Sequence, residues 1–321
     1  MTGKRSRLFA AAAVSASIVF AGIPANAGEE TIAMAVPDLG SSFWISAVYG
    51  ADQAAKRSGV TLLKLNAGGD NNANQQISQI QDLIQRKVDA IIVGATNGDA
   101  VKSVVEDAIK KGIPVVGISS PPNTPELASI ISADHYDMGR LQANCLAKAI
   151  GGKGEVAMMA GPTGQAWADL RAEGFRDTLK KSFPGVKVVT ESRLADNRNS
   201  ALTTAEDWTT RFPDLSGVYS ATDDMAAGVI SAFQGAGLDK VKFSASNLSP
   251  SAQDLIAKGS LACVSIQEIV AQGQAAFEQA KAAAEKKNVE KQVVLPAVLV
   301  DASNLKTVDL SKVVAPSDYR P

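Results

Sequence analysis

The residues able to do chemistry sit just past a series of apolar, strand-like runs. Asp38, Ser41, Phe43 and Trp44 follow one run, and Ser119 and Ser120 follow another. His135 comes after a third, and Trp167 and Asp169 after a fourth. Asn197, Thr222, Asn247 and Gln267 each trail a further run. The set consists of hydroxyls, amides, carboxylates and a few aromatic rings, which suits a neutral polyhydroxy solute. A sugar hydroxyl both donates and accepts, so Asp, Asn and Gln satisfy it in pairs. The face of Trp44 or Trp167 covers the C–H side of a sugar ring. Each residue also has an architectural reading. Asp99, Asp134 and Asp223 suit helix caps, Trp44 a core position at a helix start, His135 a buried structural role, and Ser119 and Ser120 an ordinary turn.

Signatures of catalysis are weak. No G-x-G-x-x-G follows the first strand, which removes the phosphate turn of a dinucleotide site. There is no G-x-S-x-G elbow and no H-E-x-x-H, and His135 is the only histidine, so a multi-histidine metal centre is excluded. Asp38, Asp134 and Asp169 have no spacing that marks an acid–base pair and serve equally well as hydroxyl acceptors. The expectation is a binding protein without catalytic residues, metal or cofactor.

These residues need elements to hold them. Apolar runs at Thr31–Val36, Val60–Leu65, Val88–Val93 and Pro114–Ile118 read as strands. Helical spacing over Phe43–Arg57, Gln76–Gln85 and Asp99–Lys110 separates them. A second series begins after Ala128–Ser132 and alternates helices such as Tyr136–Ile150 and Asp169–Lys181 with strands such as Glu155–Met159 and Val218–Ser220. A long helix near Glu268–Lys286 and a last strand over Val293–Val300 close it. Apolar strands alternating with amphipathic helices give α/β architecture with parallel sheets covered on both faces. Ligands in such sheets bind beyond the strands' C-terminal ends.

Met1–Ala27 reads as a secretory signal: Lys4, Arg5 and Arg7, an apolar stretch, then Ala25-Asn26-Ala27 with cleavage before Gly28. The remaining 294 of 321 residues are comfortable for two domains. The formal net charge is −1, or −4 without the three basic residues of the leader. A mildly acidic chain with no Lys/Arg block gives no reason to expect nucleic-acid binding. Cys145 and Cys263 lack metal-site spacing; a disulfide and two buried thiols both remain open.

Several segments resemble the type I periplasmic sugar-binding proteins, the ribose/galactose-binding group. They are Ser42-Phe43-Trp44, VDAIIVGATNGDA at Val88–Ala100, KGIPVVGI at Lys111–Ile118, RAEGF at Arg171–Phe175, ATDDMAAGVISAFQGAG at Ala221–Gly237 and Ser265-Ile266-Gln267. The resemblance implies two Rossmann-like lobes, parallel sheets flanked by helices, and a three-crossover hinge near Ser132–Asp134, Ser265–Gln267 and Leu295–Ala297. One lobe would hold residues 28–132 and 266–295, the other 133–265 and 296–321. It implies a monomer that closes on a solute in the periplasm and delivers it to the transmembrane subunits of an ABC importer.

Carried over, the family's pocket falls on Ser41, Phe43, Trp44, Gly94, Ser119, Ser120, Ala133, His135, Asp169, Asn197, Thr222, Asn247 and Gln267. Ribose binders carry an Asp-Arg pair where Ser119-Ser120 stands, an Arg at Asp169 and an Asp at Asn247. The resemblance therefore implies a neutral or cationic solute: a sugar, a polyol or an amino sugar. NAGGDNNANQQISQ (Asn66–Gln79), DHYDMG (Asp134–Gly139) and AGPTG (Ala160–Gly164) are similar to TorT-type periplasmic sensors, which implies the alternative of signalling to a membrane histidine kinase.

Overall fold

The computed structural model describes residues 30–321. The leader expected over Met1–Ala27 lies outside them. Two six-stranded sheets organise the chain. Across the first run β11 (Gln292–Leu295), β5 (Ser129–Ala133), β4 (Val115–Ile118), β3 (Ala90–Val93), β1 (Thr31–Val36) and β2 (Thr61–Asn66), every neighbouring pair parallel. The second runs β12 (Ala297–Asp301), β10 (Cys263–Gln267), β9 (Lys242–Ser246), β8 (Leu215–Ser220), β6 (Lys153–Met159) and β7 (Gly185–Ser192). Only β12 is antiparallel to its neighbour there. β1, β3 and β4 are buried along almost their whole length, as strands covered by helices on both faces must be.

The chain passes between the lobes three times. β5 leads into α4 (His135–Ala149), which packs on the second sheet. β10 leads into α9 (Ile269–Ala284), which returns to the first. The expected single strand over Val293–Val300 is two strands, β11 and β12, in different sheets. Pro296 parts them, because it has no N–H to continue a ladder.

The C-terminal tail packs on the second lobe, and its last residues reach back to the first. Val313 is buried in the second lobe's core, but Ala315 N–H then donates to Ser46 Oγ at 3.0 Å, and the ring of Tyr319 meets that of Tyr49 edge-on at 4.9 Å. Ser46 and Tyr49 belong to α1 (Ser42–Ser58) of the first lobe. Cys145 on α4 and Cys263 on β10 form a disulfide inside the second lobe, 118 residues apart in sequence.

Candidate functional site

Residues from both lobes line a cavity beyond the strand ends. Ser41, Phe43, Trp44, Asp70, Ser119 and Ser120 come from the first lobe, and Trp167, Arg171, Asp196, Thr222 and Asn247 from the second. Beside the cavity the second lobe bonds directly to the first: Gln165 Nε2 donates to the Thr96 carbonyl at 2.7 Å.

On the first wall, Trp44 is mostly buried at the start of α1, with its ring edge-on to Phe43 at 4.9 Å. It reaches that position because residue 94 is glycine: a Cβ there would lie 2.1 Å from Trp44 Cη2. Trp44 is therefore both a core residue and part of the cavity lining. Ser119 and Asn247 hold equivalent places, each just past a strand end, with positive φ of 57° and 72°. Each N–H donates across to the next strand, to Ile131 O at 2.8 Å and Ser265 O at 2.9 Å. Such backbone is strained for non-glycine residues and clusters at functional sites.

The second wall is built around Arg171. Its helix, α5 (Ala166–Ser182), packs so closely on α4 that a Cβ on Gly139 would fall 1.9 Å from the Arg171 carbonyl. Arg171 is 2 % exposed, and its guanidinium sits 5.1 Å from the Trp167 ring centroid. Nη1 donates to Ala221 O at 2.8 Å and Nη2 approaches His135 Nδ1 at 3.4 Å. Nε has no partner among the described residues. Burial pushes the guanidinium pKa down to about 10. His135 is buried beneath it, and desolvation together with the Arg171 charge holds its pKa well below 6.5. The neutral imidazole thus offers Nδ1 as an acceptor, and its role here is to seat Arg171.

Two half-buried carboxylates face each other's lobes. Asp196, from the loop after β7, accepts from Thr222 Oγ1 at 2.5 Å. Burial, opposed by that bond, raises its pKa to about 7, with the charges of Asp224, Asp70 and Asp223 adding to the rise. Asp70, from the loop after β2, rises to about 6 through burial and the charge of Asp38.

Five expected site residues lie off the cavity lining. Asp169 is about half exposed and ion-paired to Arg193. It is two positions before Arg171 on one helix, and residues at that spacing point to different faces. Asn197 caps α6 (Arg198–Arg211), accepting from Ser200 N at 2.8 Å, and lines the outer mouth with Asp38. Asp38 itself accepts from Gly40 N at 2.7 Å. Gln267 is 1 % exposed and lies behind Asn247, donating to its Oδ1 at 2.9 Å while accepting from Gln272 Nε2 at 2.9 Å. His135, as described, stands behind Arg171. Ser41, Phe43, Trp44, Ser119, Ser120, Trp167, Thr222 and Asn247 do line the cavity. The set carried over from the family omitted Asp70, Arg171 and Asp196. The RAEGF segment that carried Arg171 was visible, but no pattern in it shows which way the side chain points.

Comparison with known proteins agrees with this architecture. The profile of a family described as periplasmic binding protein domain matches residues 32–288. A xylitol-binding protein of Mycolicibacterium smegmatis is 31 % identical over 241 residues, covering 74 % of this chain and 68 % of that protein. The ribose import binding protein of Escherichia coli is 29 % identical over 256 residues, covering 79 % and 85 %. The crystal structure of a carbohydrate transporter solute-binding protein from Agrobacterium radiobacter, in complex with D-arabinose, superposes with a TM-score of 0.85 at 28 % identity, covering 90 % of this chain and all of that one. The chain belongs to the periplasmic binding protein family, in its type I sugar-binding branch.

Proposed function

We propose that this protein is the solute receptor of an ABC importer, working in the periplasm as a monomer and binding a small sugar, polyol or amino sugar without altering it. The observation that carries the reading is the pair Trp44 and Trp167, which wall one cavity from opposite lobes with hydroxyl, amide, carboxylate and guanidinium groups between them. Aromatic faces cover the C–H surface of a sugar, and the polar groups meet its hydroxyls. The lobes are joined by short crossovers that can absorb a hinge rotation while each sheet stays rigid. Two of the relatives above are named for import or transport, which favours delivery to a permease over signalling to a kinase.

Isothermal titration of the purified protein with pentoses, hexoses, polyols and amino sugars tests this. The expected result is one-to-one binding of at least one compound, recovered unchanged from the complex. Absence of binding across the panel, or conversion of the bound compound, would overturn it.

A further inference from the structure

The charged side chains lining the cavity do not balance. Arg171 stands on one wall, while Asp70 and Asp196 approach from opposite lobes. The charge of Arg171 reaches Asp196, and no cation among the described residues acts on Asp70, so two carboxylates face one guanidinium. Asp38 adds negative charge next to Asp70; Asp223 and Asp224 add it next to Asp196. Arg198 acts on Asp224 instead. Arg171 is tied to Ala221 O, His135 Nδ1 and the Trp167 face on its own wall, and its Nε is buried with no partner among the described residues. Closing the lobes on a neutral guest therefore traps excess negative charge in a desolvated space. Such a state needs either a proton or a cation to enter with the guest.

We propose that the solute carries an ammonium group held between Asp70 and Asp196, with its hydroxyls toward Arg171 and Asn247, which makes it an amino sugar or amino-polyol. This rests on the reading of the cleft as a receptor for a polyhydroxy solute. An ammonium has three donors and no acceptor, enough to serve one oxygen of each carboxylate and a neighbouring hydroxyl. Charge-assisted bonds of this kind are roughly twice as strong as neutral ones. Two carboxylates from two lobes also make the ammonium a bridge that exists only when the cleft is shut. A neutral sugar would instead have to bring a proton onto one of them. The two guests thus differ in sign with pH. Ionisation of Asp70 and Asp196, completed as pH rises through about 6 and 7, strengthens the hold on an amine and weakens the hold on a neutral sugar.

The test is titration calorimetry on matched pairs: D-glucosamine with D-glucose, D-galactosamine with D-galactose, D-mannosamine with D-mannose, 1-amino-1-deoxy-D-sorbitol with D-sorbitol, and an amino-inositol with myo-inositol. At pH 7.5 the amine of at least one pair is expected to bind at least about tenfold more tightly than its parent. Asp70→Asn and Asp196→Asn are each expected to narrow that ratio at least about fivefold. In the unmodified protein, amine affinity is expected to rise between pH 5 and 7.5, a readout that needs no variant. Parents that bind as tightly as their amines, or an amine affinity that falls as pH rises, overturn the ammonium assignment and leave the sugar receptor standing. Silence from every pair overturns both.

Discussion

Gln165 Nε2 donates to the Thr96 carbonyl at 2.7 Å, joining the start of α5 in one lobe to the loop after β3 in the other. Thr96 is itself fixed from behind. Gln76 Oε1 accepts from its N–H at 2.8 Å and its Oγ1 at 3.0 Å, while Gln76 Nε2 donates to Gly94 O at 2.8 Å. The amide of Gln76 thus presets the acceptor that Gln165 meets when the lobes shut. A buried neutral hydrogen bond contributes about 1 kcal/mol, or roughly fivefold in affinity. Gln165→Ala is expected to weaken solute binding by about that factor and to enlarge the radius of gyration of the solute-bound protein. Unchanged calorimetric affinity and unchanged scattering would show that this bond does not hold the closed form.

Arg171 is expected to be the most sensitive position in the cavity. Hydrogen bonds to charged groups contribute about 1.5–3 kcal/mol, so Arg171→Ala should cost tenfold or more in affinity. Arg171→Lys should not rescue it, because an ammonium cannot reproduce the planar fork that reaches Ala221 O and His135 Nδ1 together. Asp169→Ala removes only a half-exposed ion pair with Arg193, and its affinity should stay within about threefold of the parent protein. Calorimetry on the three variants checks the order; a larger loss at Asp169 than at Arg171 would reverse the assignment.

Closure without solute is expected to depend on pH. In the closed form Asp196 and Asp70 titrate near 7 and 6, whereas opening returns both to water and toward the ordinary value of 3.8. The closed form therefore binds more protons than the open one between about pH 4 and 7, and acid favours it. The repulsion that opposes closing is fully present above about pH 7 and is relieved as pH falls through 7 and 6. Small-angle scattering of the solute-free protein should show a smaller radius of gyration at pH 5.5 than at pH 8. Asp196→Asn should flatten the difference. A radius that grows on acidification, with the fold intact by circular dichroism, would contradict the linkage.

Much of the fold was legible because buried parallel strands must be apolar throughout. Ala90–Val93 and Val115–Ile118 stand out for that reason. Tyr136–Ile150 and Asp169–Lys181 came through helical spacing, with ends within a few residues of α4 and α5. The division of the last strand at Pro296 was not legible from apolar pattern, since β11 and β12 are both apolar and differ in the sheet they join and in the direction of pairing. The cavity was read less well than the fold. Residues directly after strand ends, such as Ser119, Thr222 and Asn247, could be placed because topology puts them there. Asp70 lies four residues beyond β2 in a glycine-rich loop, and nothing local shows that this loop folds over the cleft. Arg171 and Asp169 could be told apart only by the phase of a helix whose partner is set by tertiary packing.

The disulfide gives a further check on the second lobe. Cys145–Cys263 closes a loop of 118 residues, and the chain-entropy account of such a crosslink gives about 4–5 kcal/mol. Reduction, or the double change Cys145→Ser with Cys263→Ser, should lower the denaturant midpoint of this lobe and leave solute affinity near that of the oxidised protein, since neither cysteine lines the cavity. An unchanged midpoint would show that the crosslink contributes nothing in solution.

The most direct measurement is a crystal structure of the protein saturated with a compound that binds it. The account predicts electron density for one solute between Trp44 and Trp167, in contact with Arg171 and with the Gln165–Thr96 bond in place. A saturating solute found elsewhere, with only water between the two tryptophans, would contradict it.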